Sequence, residues 1–330
     1  MELYLNTFGT YLHKKGEMFE VRIEDISKRI SPKRISSIII SNAAQITTDA
    51  IELALEHNID ILFLNKYGEP YGRIWFPKLG STTFIRRRLL EIHEHDEGLV
   101  YIKHWINRKI SNQIDFLKLL LSKRPIQKEL FSEKISKIEF YRQRLMILEG
   151  SLSDNSNRIM GIEGNISRIY FGILSDLLPR VYRFNGRSSR PAKDAFNAFL
   201  NYGFGILYGK VERALIIAGL DPYIGLLHSD NYNKKSLVFD FIEPYRILIE
   251  KPVFYLFSRR KVTEKHYDEI KNGVTLNENG KKFFVPHLME FFDTIIRYGN
   301  KNMKTINQIQ ADAHAFANYL IGKRKKIGEK

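Results

Sequence analysis

DILFLNKYGEPYGRIWFPKLG, residues 60–80, is the stretch at which the character of the chain changes. Asp60–Leu64 and Tyr71–Phe76 are short runs rich in Ile, Leu, Tyr and Phe on either side of Gly68, a strand–turn–strand pattern. Upstream, Leu3–Phe8, Met18–Arg22 and Ile35–Ile40 repeat that pattern between Gly9, Gly16 and Pro32. One helix interrupts it, with Thr47 and Thr48 as candidate N-caps and Ile51, Leu53, Ala54 and Leu55 before His57-Asn58. Downstream of Gly80 the periodicity switches. Leu99–Lys123, Gln127–Glu149, Arg158–Leu178 and Ala192–Ala218 carry apolar residues at three- and four-residue spacing, which predicts long helices. A late β-hairpin is expected from Val274–Leu276 and Lys281–Val285 around Asn279-Gly280. The expected class is α+β: a small N-terminal β-sheet domain, residues 1–80, then a large, mostly α-helical domain, residues 81–330, with the boundary at Pro77–Gly80.

Two domains also suit a chain of 330 residues, about twice the usual single-domain length. A composition 44% apolar and 12% aromatic excludes a disordered or collagenous chain. The absence of cysteine excludes disulfides, thiolate nucleophiles and Cys-ligated zinc, and agrees with a reducing compartment. No apolar run approaches the roughly 18 residues of a membrane span, and MELYLNTFGTYLHKK shows no secretory leader. The expectation is a soluble, cytoplasmic protein without membrane partners. Its formal charge is +15. Residues 1–80 hold ten Lys and Arg against ten Asp and Glu, so the whole excess belongs to residues 81–330. Segregated positive charge points to one domain that handles a polyanion.

Within the basic domain three regions hold metal-ligating residue types. His93-Glu94-His95-Asp96-Glu97 is dense in ligands, but on a helix His93 and His95 point to opposite sides, so the run reads as a polar helix end closed by Gly98. In Gly225–Asp230 and Ser236–Glu243, His228 closes an apolar stretch, and Asp240 and Glu243 stand three residues apart among Phe239, Phe241 and Ile242. Two acids on an apolar element need a metal or a base to compensate them. Arg246 offers an intrahelical ion pair, so these residues alone leave site and salt bridge open. In Met160–Phe171, Glu163 lies between Gly161 and Gly164 and reads as the opening of a helix; small neighbours admit a phosphate close to the acid. Gly203 and Gly205 fall inside a helical pattern and form no phosphate loop.

One imidazole with two or three carboxylates makes a hard N/O ligand set that suits Mg²⁺ or Mn²⁺ better than zinc. In a basic domain such a centre most often handles phosphodiesters. Two clusters are candidate nucleic-acid backbone contacts: Arg183, Arg187, Arg190 and Lys193 around Asn185-Gly186, and Arg259-Arg260-Lys261. Tyr182, Phe184 and Tyr202 are candidates for stacking on bases or for the core.

Four runs in order then resemble the CRISPR-associated spacer-acquisition integrases and endonucleases. They are Glu163-Gly164 with Arg168, Tyr170 and Phe171; RSSRPAKDAFNAFL, residues 187–200; AGLDPYIGLLH, residues 218–228; and Leu237 with Asp240 and Glu243. Ser41-Asn42 and Gln45-Ile46 fit the same family. The resemblance implies an N-terminal β domain that forms a homodimer and a helical domain that carries the catalytic centre. It implies that Glu163, His228 and Glu243 bind the divalent ion, and that Asp240 is an auxiliary acid near it. The implied activity is metal-dependent DNA cleavage and, with the small second CRISPR adaptation protein, joining of short fragments to the CRISPR array in a prokaryotic cytoplasm. A stand-alone, structure-specific DNA repair nuclease shares every one of these site residues. A non-catalytic DNA-binding scaffold, with the acids in ion pairs, is the third reading.

Overall fold

Short β-branched and aromatic runs build the first unit of the chain. A computed structural model describes residues 2–35, 37–57, 59–64, 70–74, 82–122, 124–228 and 234–322. The chain divides into two units, Met1–Lys78 and Leu79–Lys330. The expected boundary at Pro77–Gly80, the strand end Trp75-Phe76, Ser229-Asp230 and the basic run Lys323–Lys326 lie outside the described residues. The first unit contains β1 (Glu2–Leu5), β2 (Thr10–Lys15), β3 (Met18–Ile23), β4 (Ile26–Ile30), β5 (Ser37–Ile40), β6 (Ala44–Ile46), α1 (Thr48–Glu56), β7 (Asp60–Leu64) and β8 (Pro70–Ile74). One sheet has the order β1-β5-β7-β8, the other β4-β3-β2-β6. β5 pairs in parallel with β1 and β7 on its two sides, which is why Ser37–Ile40 is buried throughout and reads as one apolar run. β2, β4 and β6 escape the sequence reading because YLHKK is polar at alternate positions, while β4 and β6 are edge strands with little buried surface.

The second unit holds α2 (Thr82–Glu94), α3 (Asp96–Leu121), α4 (Pro125–Met146), α5 (Leu152–Leu177), α6 (Ala195–Ile217), α7 (Ser236–Phe241) and α8 (Ile247–Ser258). Two hairpins and two helices follow: β9 (Tyr267–Ile270) with β10 (Gly273–Leu276), α9 (Glu278–Asp293), β11 (Ile295–Tyr298) with β12 (Lys301–Lys304), and α10 (Asn307–Leu320). α3 buries Leu99, Ile102, Trp105, Ile106, Ile110, Ile114 and Leu117, each worth roughly 1.5–3 kcal/mol on leaving water. Trp105 meets Phe241 edge-on at 5.3 Å between ring centres, which locks α3 against α7. Among the described residues no helix is long and apolar enough to cross a membrane.

Two local readings are corrected. The late hairpin pairs β10 backward with β9, and residues 278–293 are helical. Asn277 caps α9 by accepting a hydrogen bond from the Gly280 N–H at 3.0 Å, so Asn279-Gly280 sits in a first helical turn. Glycine is needed there for close approach: a Cβ on Gly280 would lie 1.9 Å from the His266 carbonyl oxygen. The run 93–97 is a helix–helix corner in which His95 is the N-cap of α3 and Glu97 accepts from Tyr319 Oη at 2.7 Å. Gly98 lies inside α3, where a Cβ would meet the Ile92 carbonyl oxygen at 2.5 Å.

Candidate functional site

α3 brings a lysine to the centre of the second unit on its buried face. Lys109 follows Ile102, Trp105 and Ile106 on the apolar stripe and precedes Gln113 and Ile114; its side chain is 5% exposed. An ammonium buried alone would be strongly unfavourable. It is compensated by two carboxylates: Lys109 Nζ donates to Glu163 Oε1 at 2.5 Å and lies 2.6 Å from Glu243 Oε2. Glu163 projects from the middle of α5, eleven residues into the helix, which corrects its placement at a helix start; the N-cap is Ser151. A Cβ on Gly161 or Gly164 would meet nothing within 4 Å, so the flanks of Glu163 are open to an approaching group.

Glu243 opens a one-turn 3-10 helix, Glu243–Tyr245, between α7 and α8. Its Oε1 accepts from Arg246 Nε at 2.7 Å, while Oε2 is buried and makes no hydrogen bond beyond its ion-pair contact with Lys109. Burial alone would raise the Glu243 pKa, but Arg246 and Lys109 outweigh it and hold the carboxyl down to about 2. The same carboxylates outweigh the burial of Lys109 and raise its pKa. The centre is thus a charge-balanced knot of Glu163, Glu243, Lys109 and Arg246. The ion pair expected between Glu243 and Arg246 is present, and it coexists with a carboxylate pair.

Asp240 faces elsewhere. Its Oδ2 accepts from the Leu226 and Leu227 N–H groups at 2.6 and 3.0 Å, and its Oδ1 accepts from the His228 N–H at 3.2 Å and from His228 Nδ1 at 2.5 Å. Both oxygens are fully committed, so Asp240, expected as an auxiliary acid of the catalytic centre, holds the 226–228 loop and the imidazole. With Nδ1 donated to Asp240, Nε2 is the ring nitrogen left for a ligand. Burial favours the neutral ring, yet Asp240 and then Glu243 outweigh it and raise the His228 pKa. The loop packs tightly against α7: a Cβ on Gly225 would lie 2.4 Å from Ser236 Cβ and 2.8 Å from the His228 carbonyl oxygen.

Among the described residues no group of three or more His, Asp and Glu side chains is gathered closely enough to hold an ion. The structure brings Glu163 and Glu243 together around Lys109 and sets His228 in electrostatic reach of Glu243. By the chemistry of its donors the set suits a divalent cation: a buried carboxylate whose Oε2 is met only by the Lys109 ammonium, a second carboxylate with open flanks, and an imidazole oriented through its other nitrogen.

The expected nucleic-acid contacts separate into two kinds. Arg259, Arg260 and Lys261 are exposed together at the end of α8, with the Arg259 guanidinium over the Tyr255 ring at 5.1 Å. Arg187 is pinned by hydrogen bonds to Asn197 Oδ1 and, at 2.8 Å, to Asn201 Oδ1, and lies over the Phe171 and Phe204 rings. Arg190 is exposed, and Lys193 Nζ donates to the Asn272 carbonyl at 2.8 Å. Tyr182 and Phe184 are core groups: Tyr182 Oη donates to the Val262 carbonyl at 2.5 Å and Phe184 stacks on Phe196. Tyr202 packs by Phe284. Lys109 escaped the sequence reading. The signal was there, a lysine in register with the buried stripe of α3, a position that normally rejects charge.

The profile of the family described as CRISPR associated protein Cas1 matches residues 3–290. The chain belongs to the Cas1 family. It is 30% identical over 341 residues to the CRISPR-associated endonuclease Cas1 1 of Archaeoglobus fulgidus, covering 99% of each chain. Among solved structures it is similar in fold to a casposase bound to integration product, with TM-score 0.80, 24% identity and 98% and 92% of the two chains covered. It is also similar to a chain of a Cas6-RT-Cas1–Cas2 complex, with TM-score 0.78, 19% identity, all of this chain covered and 36% of the other. In Cas1 terms the four runs quoted above all fall inside the matched residues.

Proposed function

We propose that this Cas1 is the endonuclease and integrase of CRISPR adaptation, which cuts DNA phosphodiesters and joins the 3′-hydroxyl ends of short fragments to a CRISPR array. The reading is supported by one observation: Glu163 and Glu243 converge on one buried point, the Lys109 ammonium, while Asp240 fixes the His228 imidazole through its Nδ1. Glu163, Glu243 and His228 would hold a divalent ion, Mg²⁺ or Mn²⁺ by the hardness of the donors and Mn²⁺ the more so for the imidazole. When bound, the ion supplies charge neutralisation at the scissile phosphate and a lowered pKa for the attacking hydroxyl. His228 serves as ligand through Nε2. Asp240 fixes its tautomer, and the Arg246 guanidinium keeps Glu243 ionised.

The partners follow from charge and from kinship. DNA is held by the exposed Arg259, Arg260 and Lys261 cluster and by Arg190, with Lys193 and Arg187 shaping the loop beside them. The similar solved structures are a casposase bound to integration product and a Cas6-RT-Cas1–Cas2 complex, which supports fragment joining with Cas2 as the small partner. The first unit, neutral and β-rich, forms the homodimer contact in this reading, and the second carries DNA processing. The relatives are prokaryotic, which supports a prokaryotic cytoplasm.

The test is an integration assay in which the protein, with and without Cas2, receives Mn²⁺, a short duplex with free 3′-hydroxyls and a supercoiled plasmid carrying a repeat array. Covalent fragment–plasmid product that disappears in His228→Ala is expected. Cleavage without joining, even with Cas2, would reduce the protein to a stand-alone nuclease. Loss of every metal-dependent product would leave a DNA-binding scaffold.

A further inference from the structure

The carboxylates assigned to the ion already share a cation of the protein's own. Lys109 Nζ lies 2.5 Å from Glu163 Oε1 and 2.6 Å from Glu243 Oε2, on a side chain 5% exposed and held in register by the apolar stripe of α3. A divalent ion held by Glu163 and Glu243 would draw on these same hard oxygens, so it would compete for the place the ammonium holds. Two positive centres do not share that point. Arg246 stays with the other oxygen of Glu243, so the pair is neutralised from both sides.

Resting on the metal-centre reading above, we propose that Lys109 is a built-in competitor for the cation site. In the metal-free protein its ammonium keeps Glu163 and Glu243 convergent and neutralised, and it must withdraw from at least one of them before a divalent ion binds. Lys109 therefore preorganises the carboxylates and weakens the site's affinity at the same time. A lysine that merely supported the fold would have only the first of these effects. The Lys109 side chain has the means to withdraw, because an unbranched four-carbon stem carries the charge and Glu163, 23% exposed, offers a direction toward solvent.

The experiment measures Mn²⁺ binding to the full-length protein by electron paramagnetic resonance of the free ion, for the wild type, Lys109→Met, Lys109→Gln and Glu243→Gln. The expected result is Mn²⁺ bound by the wild type, lost in Glu243→Gln, and bound at least tenfold more tightly by both Lys109 variants. Melting without metal should fall in those variants and recover at saturating Mn²⁺ by more than the wild type gains. Equal or weaker Mn²⁺ binding by folded Lys109 variants, with the loss in Glu243→Gln intact, would overturn the competitor role and leave the metal reading standing. Wild-type binding indifferent to Glu243→Gln would overturn the metal reading itself. A second measurement needs no variant. Acetylation of Lys109 in the wild type, followed by mass spectrometry, should be slow without metal and at least several-fold faster with saturating Mn²⁺. Acetylation unchanged by bound Mn²⁺ would equally refute withdrawal, including where neither Lys109 variant folds.

Discussion

Asp240→Asn is the substitution that most cleanly separates holding a ligand from being one. The wild-type carboxylate accepts four hydrogen bonds, three from the backbone N–H groups of residues 226–228 and one from His228 Nδ1. An asparagine keeps one acceptor oxygen. If that oxygen stays on Leu226 and Leu227, its NH₂ faces the His228 N–H and Nδ1, so one buried backbone donor loses its partner and the ring must change tautomer. The unsatisfied donor costs about 1–3 kcal/mol and the lost charge-assisted bond about 1.5–3, so a destabilisation of about 3 kcal/mol, toward the low end of their sum, is expected once the site relaxes. For a unit of this size that is a fall in melting temperature of about 6–12 °C. The tautomer change moves a proton to Nε2, the nitrogen assigned to the ion, so Mn²⁺ affinity should drop about 10–100-fold. The His228 pKa, raised in the wild type chiefly by Asp240 against the pull of burial, should move down, which a proton NMR titration of the metal-free protein reads directly. A variant that melts within about 2 °C of the wild type, with unchanged His228 titration and Mn²⁺ affinity, would refute this role for Asp240.

Other consequences are simpler. Gly203→Ala places a Cβ 2.5 Å from Ile249 Cγ2 and 3.2 Å from Phe284 where α6 packs on α8, so thermal denaturation should show a loss of about 1–3 kcal/mol. Glu20, buried among Arg29, Arg22, Lys15 and His13, is held well below the usual carboxylate range, by Arg29 foremost. A depressed carboxyl contributes stability above its unfolded value near 4.5 and loses it as the pH falls, so urea denaturation of the first unit should weaken from pH 5 to 3 more in the wild type than in Glu20→Gln. Replacing Arg259, Arg260 and Lys261 together by Gln should reduce the salt dependence of DNA binding by about 0.9 in log–log slope for each phosphate that is no longer neutralised, measured by fluorescence anisotropy across a salt series. An unchanged slope would remove that cluster from the DNA surface.

How much of this was legible in the sequence depended on periodicity and on polarity. The four long helices were readable because Leu99–Lys123 and its successors carry apolar and charged residues at helical spacing over more than five turns, and the observed helices begin and end within a few residues of that reading, apart from α5, which starts six residues earlier. β5 and β7 were readable as continuous apolar runs because both are interior strands of their sheet. β4 was not, because an exposed edge strand needs no apolar face. The Asn279-Gly280 pair misled because the same two residue types serve a hairpin turn and a capped first helical turn; what decides between them, the His266 carbonyl pressed against Gly280, is distant in the chain. Glu163, His228 and Glu243 were picked out by residue type and resemblance, and geometry then separated the role of Asp240 from theirs. Lys109 needed the third dimension. Its partners lie 54 and 134 residues away, and only packing of α3 between α5 and the turn after α7 brings them together.

The central claim, that Glu163 and Glu243 hold the ion that drives phosphodiester chemistry, is tested most directly by Mn²⁺-dependent cleavage of linear duplex DNA by the wild type, Glu163→Gln and Glu243→Gln. Each variant is matched for folding by circular dichroism and for DNA affinity by anisotropy. The account predicts cleavage by the wild type that chelation of the ion abolishes, and a loss of at least a hundredfold in either variant with DNA affinity retained. Wild-type cleavage rates in either variant would place the chemistry elsewhere in the molecule.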